Sequence, residues 1–202
     1  MLWSNYMERL YKKNLELFKL KFDKNFIDDL QQSELSAFSI DSKNNDVDIY
    51  FGNEKIYPFG AKKSASLQVD EFVKNPKSYS MAPAEMGDPL GELQNKYAKL
   101  IEQYTPAMKD KKRIYSGLNM YENQIPFMLI SGCGAGFHVE QLIKKFEIFN
   151  LIIYDENLTF VKLSMHLIDW EPILVYFSQK CRTISFTYNS NPETLAQLIL
   201  YT

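Results

Sequence analysis

The chain has 202 residues, of which 46% are hydrophobic and 24% are charged, and its formal net charge is −2. A near-neutral chain lacks the broad positive field that non-specific nucleic-acid binding needs, so we expect no nucleic-acid partner. No apolar run reaches the roughly 18–20 residues of a membrane span, and charges between positions 8 and 13 exclude the apolar core of a signal peptide, so we expect no membrane contact.

Residues 1–75 are predicted to form a helical arm followed by a small antiparallel β meander. Positions 2–22 contain no glycine or proline, and apolar side chains recur there every three or four residues, which indicates an amphipathic helix. Asp23 is placed to cap a second short helix. Three runs with period two follow, at 38–40, 47–51 and 56–59. Asparagine, aspartate and glycine between these runs favour the tight turns of a meander.

Residues 76–124 are predicted to form an irregular connection and then a long helix. The stretch 75–91, NPKSYSMAPAEMGDPLG, concentrates Pro, Gly, Ser and Met, which is typical of a segment without regular structure. Four apolar or aromatic residues then share one helical face before a proline at 106: Leu93, Tyr97, Leu100 and Tyr104. This spacing predicts a helix that ends before the proline.

Residues 125–202 show a regular alternation of strands and helices. The predicted elements are a strand at 126–131, a helix at 137–145, a strand at 151–155, a helix around 158–167, a strand at 183–188 and a final helix after Asn191. The order is typical of an α/β fold, and we predict a Rossmann-like, methyltransferase-like partial parallel sheet behind the helical arm and the meander.

Three β-α repeats supply only half of a doubly wound sheet. The first strand of 125–202 would then be an apolar edge, unless the meander, another chain or a further segment covers it. We therefore expect a truncated Rossmann-like half that belongs to a larger protein, or a domain whose apolar edge is covered by a partner.

A glycine-rich turn joins the first strand of this region to its helix. Three glycines occupy alternate positions: Gly132, Gly134 and Gly136. The dinucleotide motif G-x-G-x-x-G needs glycine where this chain has Phe137, so NAD and FAD are disfavoured, and the pattern of a P-loop is missing. The spacing fits an adenosyl-methionine type of turn better, with Asp155 at the end of the second strand accepting hydrogen bonds from ribose hydroxyls.

Two observations limit this interpretation of the turn. Turns of the adenosyl-methionine type usually carry an acid two residues before the first glycine, and this chain has Ile130 there. Glycine turns also serve close strand-to-helix packing without any ligand. We therefore predict Gly132, Gly134, Gly136 and Asp155 as the binding residues of a nucleotide-like ligand, with the ligand-free alternative left open.

Residues with catalytic or metal-binding chemistry are few. Cys133 lies in the turn near a helix amino terminus, which favours a thiolate, but the pattern supplies no partner base. His138 and His166 lack cysteine or acidic partners at ligand spacing, so we expect no metal. Asp155 and Glu156 are neighbours whose side chains point apart at a strand end, which disfavours an acid/base pair. We predict no catalytic residue.

The cysteine content bears on the compartment. The chain has two cysteines, Cys133 and Cys181, which are too few for a disulfide framework. Since no signal peptide is expected either, we predict a cytoplasmic protein.

The sequence contains the blocks IPFMLISGCGAGFHVEQLIKK at 125–145 and NLIIYDENLTF at 150–160. These blocks resemble the amino-terminal domain of the motility-associated factor (Maf) family, which are bacterial flagellin glycosyltransferases. The order of elements agrees, with a helical arm, a meander containing SKNNDVDIYF, an aromatic connection and a long helix before the glycine turn. One departure is visible, because the family tends to end the second strand with Glu-Pro and this chain has Asp155 and Glu156.

The resemblance implies transfer of a nonulosonic acid, such as pseudaminic or legionaminic acid, from its CMP-activated form to Ser or Thr of flagellin. The family's catalytic machinery belongs to a central transferase domain, so the resemblance implies a non-catalytic front domain here. Its expected partners are flagellin, the downstream transferase domain and a second protomer, with the aromatic residues of the arm and meander as contact surfaces. An adenosyl-methionine-dependent methyltransferase-like domain and a ligand-free Rossmann-like scaffold are the alternatives.

Overall fold

A computed structural model describes residues 5–43, 46–75 and 123–189 of the chain. Within these ranges the protein contains helices, a three-stranded antiparallel sheet and a three-stranded parallel sheet. The predicted α/β, Rossmann-like class is therefore confirmed. The predicted helix that includes Tyr97 and the predicted helix after Asn191 lie outside the described residues. No helix of the described ranges has the length and apolarity needed to cross a bilayer.

The two amino-terminal helices form where the sequence predicts them. Helix α1 is Asn5–Lys21 and helix α2 is Lys24–Gln32. The side chain of Asp23 accepts a hydrogen bond from the backbone N–H of Phe26 at 3.0 Å, which satisfies one of the unpaired amides at the start of α2. The predicted cap is confirmed.

The meander is antiparallel, as predicted, but its third strand is shorter and earlier. The strands are β1 (Phe38–Lys43), β2 (Asp46–Phe51) and β3 (Glu54–Lys55), in the order β1-β2-β3. The predicted third strand at 56–59 is instead a connection: Ile56 still donates to the carbonyl of Ile49 at 2.9 Å, but Tyr57 leaves the ladder and points at the glycine turn.

Helix α3, Ala61–Lys74, was not predicted. Its buried face consists of small residues and one valine, so its apolar pattern is weak. Its first amides are capped from a distant position: the carboxylate of Asp46 accepts from the N–H of Lys62 at 2.8 Å and of Lys63 at 3.1 Å. A cap supplied from 16 residues upstream has no signature in the local sequence.

The second sheet is parallel throughout. Its strands are β4 (Gln124–Ser131), β5 (Glu147–Asp155) and β6 (Thr183–Tyr188), and its helices are α4 (Phe137–Lys145), α5 (Thr159–Leu167) and α6 (Glu171–Tyr176). The strand order is β4-β5-β6, so α4 forms the predicted β-α-β crossover between β4 and β5. Among the described strands β4 pairs with β5 alone, and the meander forms a separate sheet.

One hydrophobic core joins the amino-terminal helices to the parallel sheet. Phe18 of α1 is fully buried, with ring centroids 5.4 Å from Trp170 and 5.6 Å from Phe186 of β6. Phe26 of α2 lies 5.4 Å from the same Phe186 ring. Burial of a phenylalanine contributes about 1.5–3 kcal/mol, so these aromatic residues hold α1 and α2 against the sheet.

Candidate functional site

The glycine turn joins β4 to α4 and is built from left-handed backbone. Gly132, Gly134 and Gly136 have φ angles of 89°, 51° and 82°. Positive φ is costly for residues with a side chain, which explains why glycine occupies these positions. The turn is held by backbone hydrogen bonds, since Gly132 donates to the carbonyl of Tyr154 in β5 at 2.7 Å and Gly136 to that of Cys133 at 3.0 Å.

Asp155 ends β5 and reaches into the turn. Its Oδ2 accepts a hydrogen bond from the backbone N–H of Cys133 at 2.8 Å, and the residue is 7% exposed. Burial raises the pKa of Asp155, while hydrogen bonds from the amides of Cys133 and Glu156 oppose that rise. The acid that the sequence assigns to a ribose is thus next to the turn, with one oxygen holding the turn's own backbone.

Tyr57 also reaches the turn, and sequence reasoning missed it. The backbone N–H of Ala135 donates to the hydroxyl oxygen of Tyr57 at 2.9 Å. A Cβ on Gly134 would lie 2.5 Å from that oxygen, so a residue with a side chain at this position would clash with the hydroxyl. A phenol is protonated at neutral pH, and burial raises the pKa of Tyr57 further above its ordinary value. With 78 residues between the partners, no local pattern announces this contact.

A buried polar network lies beneath the turn. The thiol of Cys133 donates to the hydroxyl of Ser164 at 3.6 Å, and Trp170 donates its indole N–H to the same hydroxyl at 3.1 Å. Burial raises the pKa of Cys133 to about 12. At neutral pH the residue is therefore a thiol rather than a thiolate, which removes it as a nucleophile in this state.

Gly136 has a packing role. A Cβ there would lie 2.7 Å from the Cδ1 of Ile168 and 3.0 Å from the Cβ of Ser164. Part of the glycine pattern is thus explained by close approach between the start of α4 and the end of α5, without any ligand.

The two histidines do not form a metal site in the described ranges. His138 hydrogen-bonds to the carbonyl of Gly132, and burial lowers its pKa to about 4. His166 stacks on Tyr11 with ring centroids 4.4 Å apart, and burial again lowers the pKa to about 4. Within residues 5–43, 46–75 and 123–189, no three His, Cys, Asp or Glu side chains are grouped so that they could hold a metal ion.

A cavity of about 520 Å³ lies beside the turn. Residues from α1, the meander, α3, α4 and α5 line it, among them Met7, Val47, Lys62, Phe137, Lys144 and His166. The lining includes the first residue of α4 but none of the three glycines and not Asp155. The predicted ligand residues and the cavity are therefore neighbours rather than one site.

One comparison with known proteins identifies a family, and a second supports the fold. Residues 10–202 match the family model described as the glycosyltransferase Maf N-terminal domain. None of the curated proteins compared with the chain is significantly similar to it. Among solved structures, the chain is similar to the Maf glycosyltransferase from Magnetospirillum magneticum AMB-1, with a TM-score of 0.58 and 19% identity. That similarity covers 95% of this chain and 29% of that protein, and at this identity it concerns the fold alone.

Proposed function

The chain belongs to the Maf glycosyltransferase N-terminal domain family, and we propose that it is the non-catalytic front domain of a flagellin glycosyltransferase. In this proposal the complete enzyme transfers a nonulosonic acid from its CMP-activated form to Ser or Thr of flagellin. The front domain supplies contacts to flagellin and to the transferase domain. The similarity to 29% of a solved Maf glycosyltransferase is consistent with a separate location for the catalytic machinery.

The non-catalytic role is supported by the hydrogen bonds of the glycine turn. Its amides at Cys133 and Ala135 donate to Asp155 and Tyr57, which are side chains of the protein itself. Asp155 holds the amide of Cys133 at 2.8 Å, whereas a ribose site needs a carboxylate that faces the ligand. Cys133 is fully buried and protonated, so it offers no nucleophile. This arrangement supports a scaffold better than a catalytic centre.

Exposed aromatic residues of the meander and of the connection that follows it support a role in binding a partner. Phe51 and Phe59 are 55% and 61% exposed. In the helical arm, Phe18 and Phe26 belong to the core, whereas Tyr6 is 70% exposed. Large aromatic side chains are enriched at interface centres, so we assign flagellin contact to the surface that carries Phe51 and Phe59.

We propose a cytoplasmic location as well. Cys133 and Cys181 are both free, and Cys181 is exposed. A reducing compartment keeps exposed thiols of this kind unpaired.

A methyltransferase-like domain is the alternative function, and ligand binding separates the two. Adenosyl-methionine and a CMP-nonulosonic acid are added separately to the chain, and its unfolding temperature is measured. A ligand at 100 times its Kd stabilises by about 2.7 kcal/mol, which corresponds to a rise of roughly 5–10 °C at this chain length. We expect no such rise with adenosyl-methionine. A rise of that size with adenosyl-methionine would favour the methyltransferase.

Flagellin binding and transfer test the proposal directly. The chain is titrated with flagellin by calorimetry, and is separately incubated with flagellin and the CMP-sugar. We expect binding without transfer. Sugar transfer by the chain alone would refute the non-catalytic role, and lack of flagellin binding would refute the assignment of flagellin as partner.

Variants locate the contact. Phe51→Ser and Phe59→Ser are expected to weaken flagellin binding at least tenfold, as interface-centre aromatics do. Val175→Ser on α6 is the matched control, because Val175 is exposed to a similar degree, 58%, on a different element. Circular dichroism checks that each variant is folded. Equal weakening by all three variants would mean that the surface carrying Phe51 and Phe59 is not the contact surface.

A further inference from the structure

The amide of Ala135 in the glycine turn is bonded to a side chain from a remote part of the chain. The hydroxyl oxygen of Tyr57 accepts this hydrogen bond at 2.9 Å. In a turn that binds a nucleotide, such an amide faces an oxygen of the ligand. Here an oxygen from the connection between β3 and α3 takes that position.

The position of Tyr57 is set by a short connection that is held at both ends. At the start, Ile56 donates to the carbonyl of Ile49 at 2.9 Å, which continues the meander by one residue. At the end, Gly60 donates to the carbonyl of Tyr57 at 3.1 Å. The backbone around Tyr57 is therefore held on both sides, so its side chain contacts the turn at a defined place.

The connection and the start of α3 are also held by a side chain of the meander. Asp46 at the start of β2 accepts from the first amides of α3, at 2.8 Å from Lys62 and 3.1 Å from Lys63. Gly60 has a φ of 91°, and a Cβ there would lie 2.6 Å from the Asp46 carboxylate. Meander, connection and α3 thus form one unit that presents Tyr57 to the turn.

We propose that Tyr57 is the resident occupant of the glycine turn, as a lock that fastens the meander unit to the parallel sheet and keeps a ligand oxygen away from the amide of Ala135. The lock and a bound nucleotide-like ligand are mutually exclusive, because both need the same amide. This inference goes beyond the proposed function and does not depend on flagellin or on any sugar.

A double-mutant cycle tests the lock, because two glycines of the turn differ in their relation to Tyr57. A Cβ at Gly134 would lie 2.5 Å from the Tyr57 oxygen, whereas a Cβ at Gly132 would meet nothing within 4 Å. Both positions have positive φ, at 51° and 89°, so both alanine variants suffer backbone strain. Only Gly134→Ala must also displace Tyr57.

The unfolding temperatures of Gly134→Ala and Gly132→Ala are measured with and without Tyr57→Phe, which removes the oxygen. We expect the loss caused by Gly134→Ala to fall by half or more in the Tyr57→Phe background, and the loss caused by Gly132→Ala to stay unchanged. An equal loss from Gly134→Ala in both backgrounds would overturn the lock.

Amide hydrogen exchange of the singly substituted Tyr57→Phe chain gives a second readout, which does not depend on the folding of a glycine variant. We expect the Ala135 amide to exchange about tenfold faster, since it loses its acceptor. The amide of Gly136, which is bonded to the carbonyl of Cys133, is the internal reference and stays unchanged. Unchanged exchange at Ala135, or protection of that amide by adenosyl-methionine in the unsubstituted chain, would overturn the lock. Failure of flagellin binding leaves these results unaffected.

Discussion

Asn14 of α1 holds the junction between α5 and α6, and its removal is the sharpest test of how α1 contributes to stability. The side chain is fully buried. Its Nδ2 donates to the carbonyls of Met165 at 2.8 Å and Ile168 at 2.9 Å, and its Oδ1 accepts from the N–H of Trp170 at 3.0 Å. One side chain therefore satisfies three backbone groups where the chain passes from one helix to the next.

Asn14→Leu keeps the approximate size of the side chain and removes all three hydrogen bonds. A buried backbone group without a partner costs about 1–3 kcal/mol, and part of this is recovered by relaxation and by the added apolar surface. We expect the free energy of unfolding to fall by about 3–5 kcal/mol. Urea unfolding followed by circular dichroism measures this fall, with an unchanged m-value as the sign of two-state behaviour.

The neighbouring Lys13 provides the control. It forms exposed ion pairs with Asp169 at 2.8 Å and Glu171 at 2.7 Å, on the same junction. Exposed pairs contribute little, so Lys13→Met is expected to change stability only slightly. If Asn14→Leu cost less than about 1 kcal/mol, or no more than Lys13→Met, the argument that buried backbone satisfaction fixes this junction would be refuted.

Three further predictions concern the turn, a helix end and pH. Gly136→Ala places a Cβ 2.7 Å from Ile168 at a φ of 82°, so we expect a loss of about 2–4 kcal/mol in urea unfolding. Lys162 donates to the carbonyls of residues 31 and 33 at 2.7 and 2.6 Å, at the carboxyl-terminal end of α2, so Lys162→Met should cost about 1 kcal/mol. His138 has a pKa lowered from 6.5 to about 4, so its neutral form is favoured in the folded state. The unfolded chain then binds the proton more readily, and stability should fall as the pH falls from about 6.5 to 4.

Each of these predictions has an outcome that would contradict it. The Gly136→Ala prediction is contradicted if the variant is as stable as the unsubstituted chain within experimental error. The Lys162→Met prediction is contradicted if stability is retained and amide hydrogen exchange at the end of α2 is unchanged. The pH prediction is checked with His138→Gln, which should show a smaller fall in stability between pH 6.5 and 4. Parallel pH profiles of the two proteins would show that His138 does not contribute.

The sequence was informative where a short segment decides its own structure. The helix at 137–145 and the strand at 183–188 have their predicted bounds, because periodicity within each segment matches its final environment. Asp23 was recognised as a cap because its partner amide is only three residues away. The resemblance to the Maf family was likewise carried by a contiguous block, and the family match over residues 10–202 confirms it.

Contacts between residues far apart in the chain determined the segments that local sequence patterns did not predict. Helix α3 depends on a cap from Asp46, and the segment at 56–59 forms a connection in which Tyr57 bonds to Ala135 of the glycine turn. The assignment of Gly132, Gly134, Gly136 and Asp155 to a ligand stays a prediction, since local spacing describes a turn without saying which oxygens fill it.

Local periodicity and glycine positions by themselves determined the fold class, the β-α-β order around the turn and the place of the turn, because backbone preferences act over a few residues. The tertiary structure alone decided which side chain bonds to the turn and what joins α5 to α6. These contacts are made by Tyr57 and Asn14, which lie 78 and more than 150 residues from their partners. Contacts over such distances depend on how the helices and strands pack. Packing between distant segments leaves no periodic pattern in the sequence from which these contacts could be predicted.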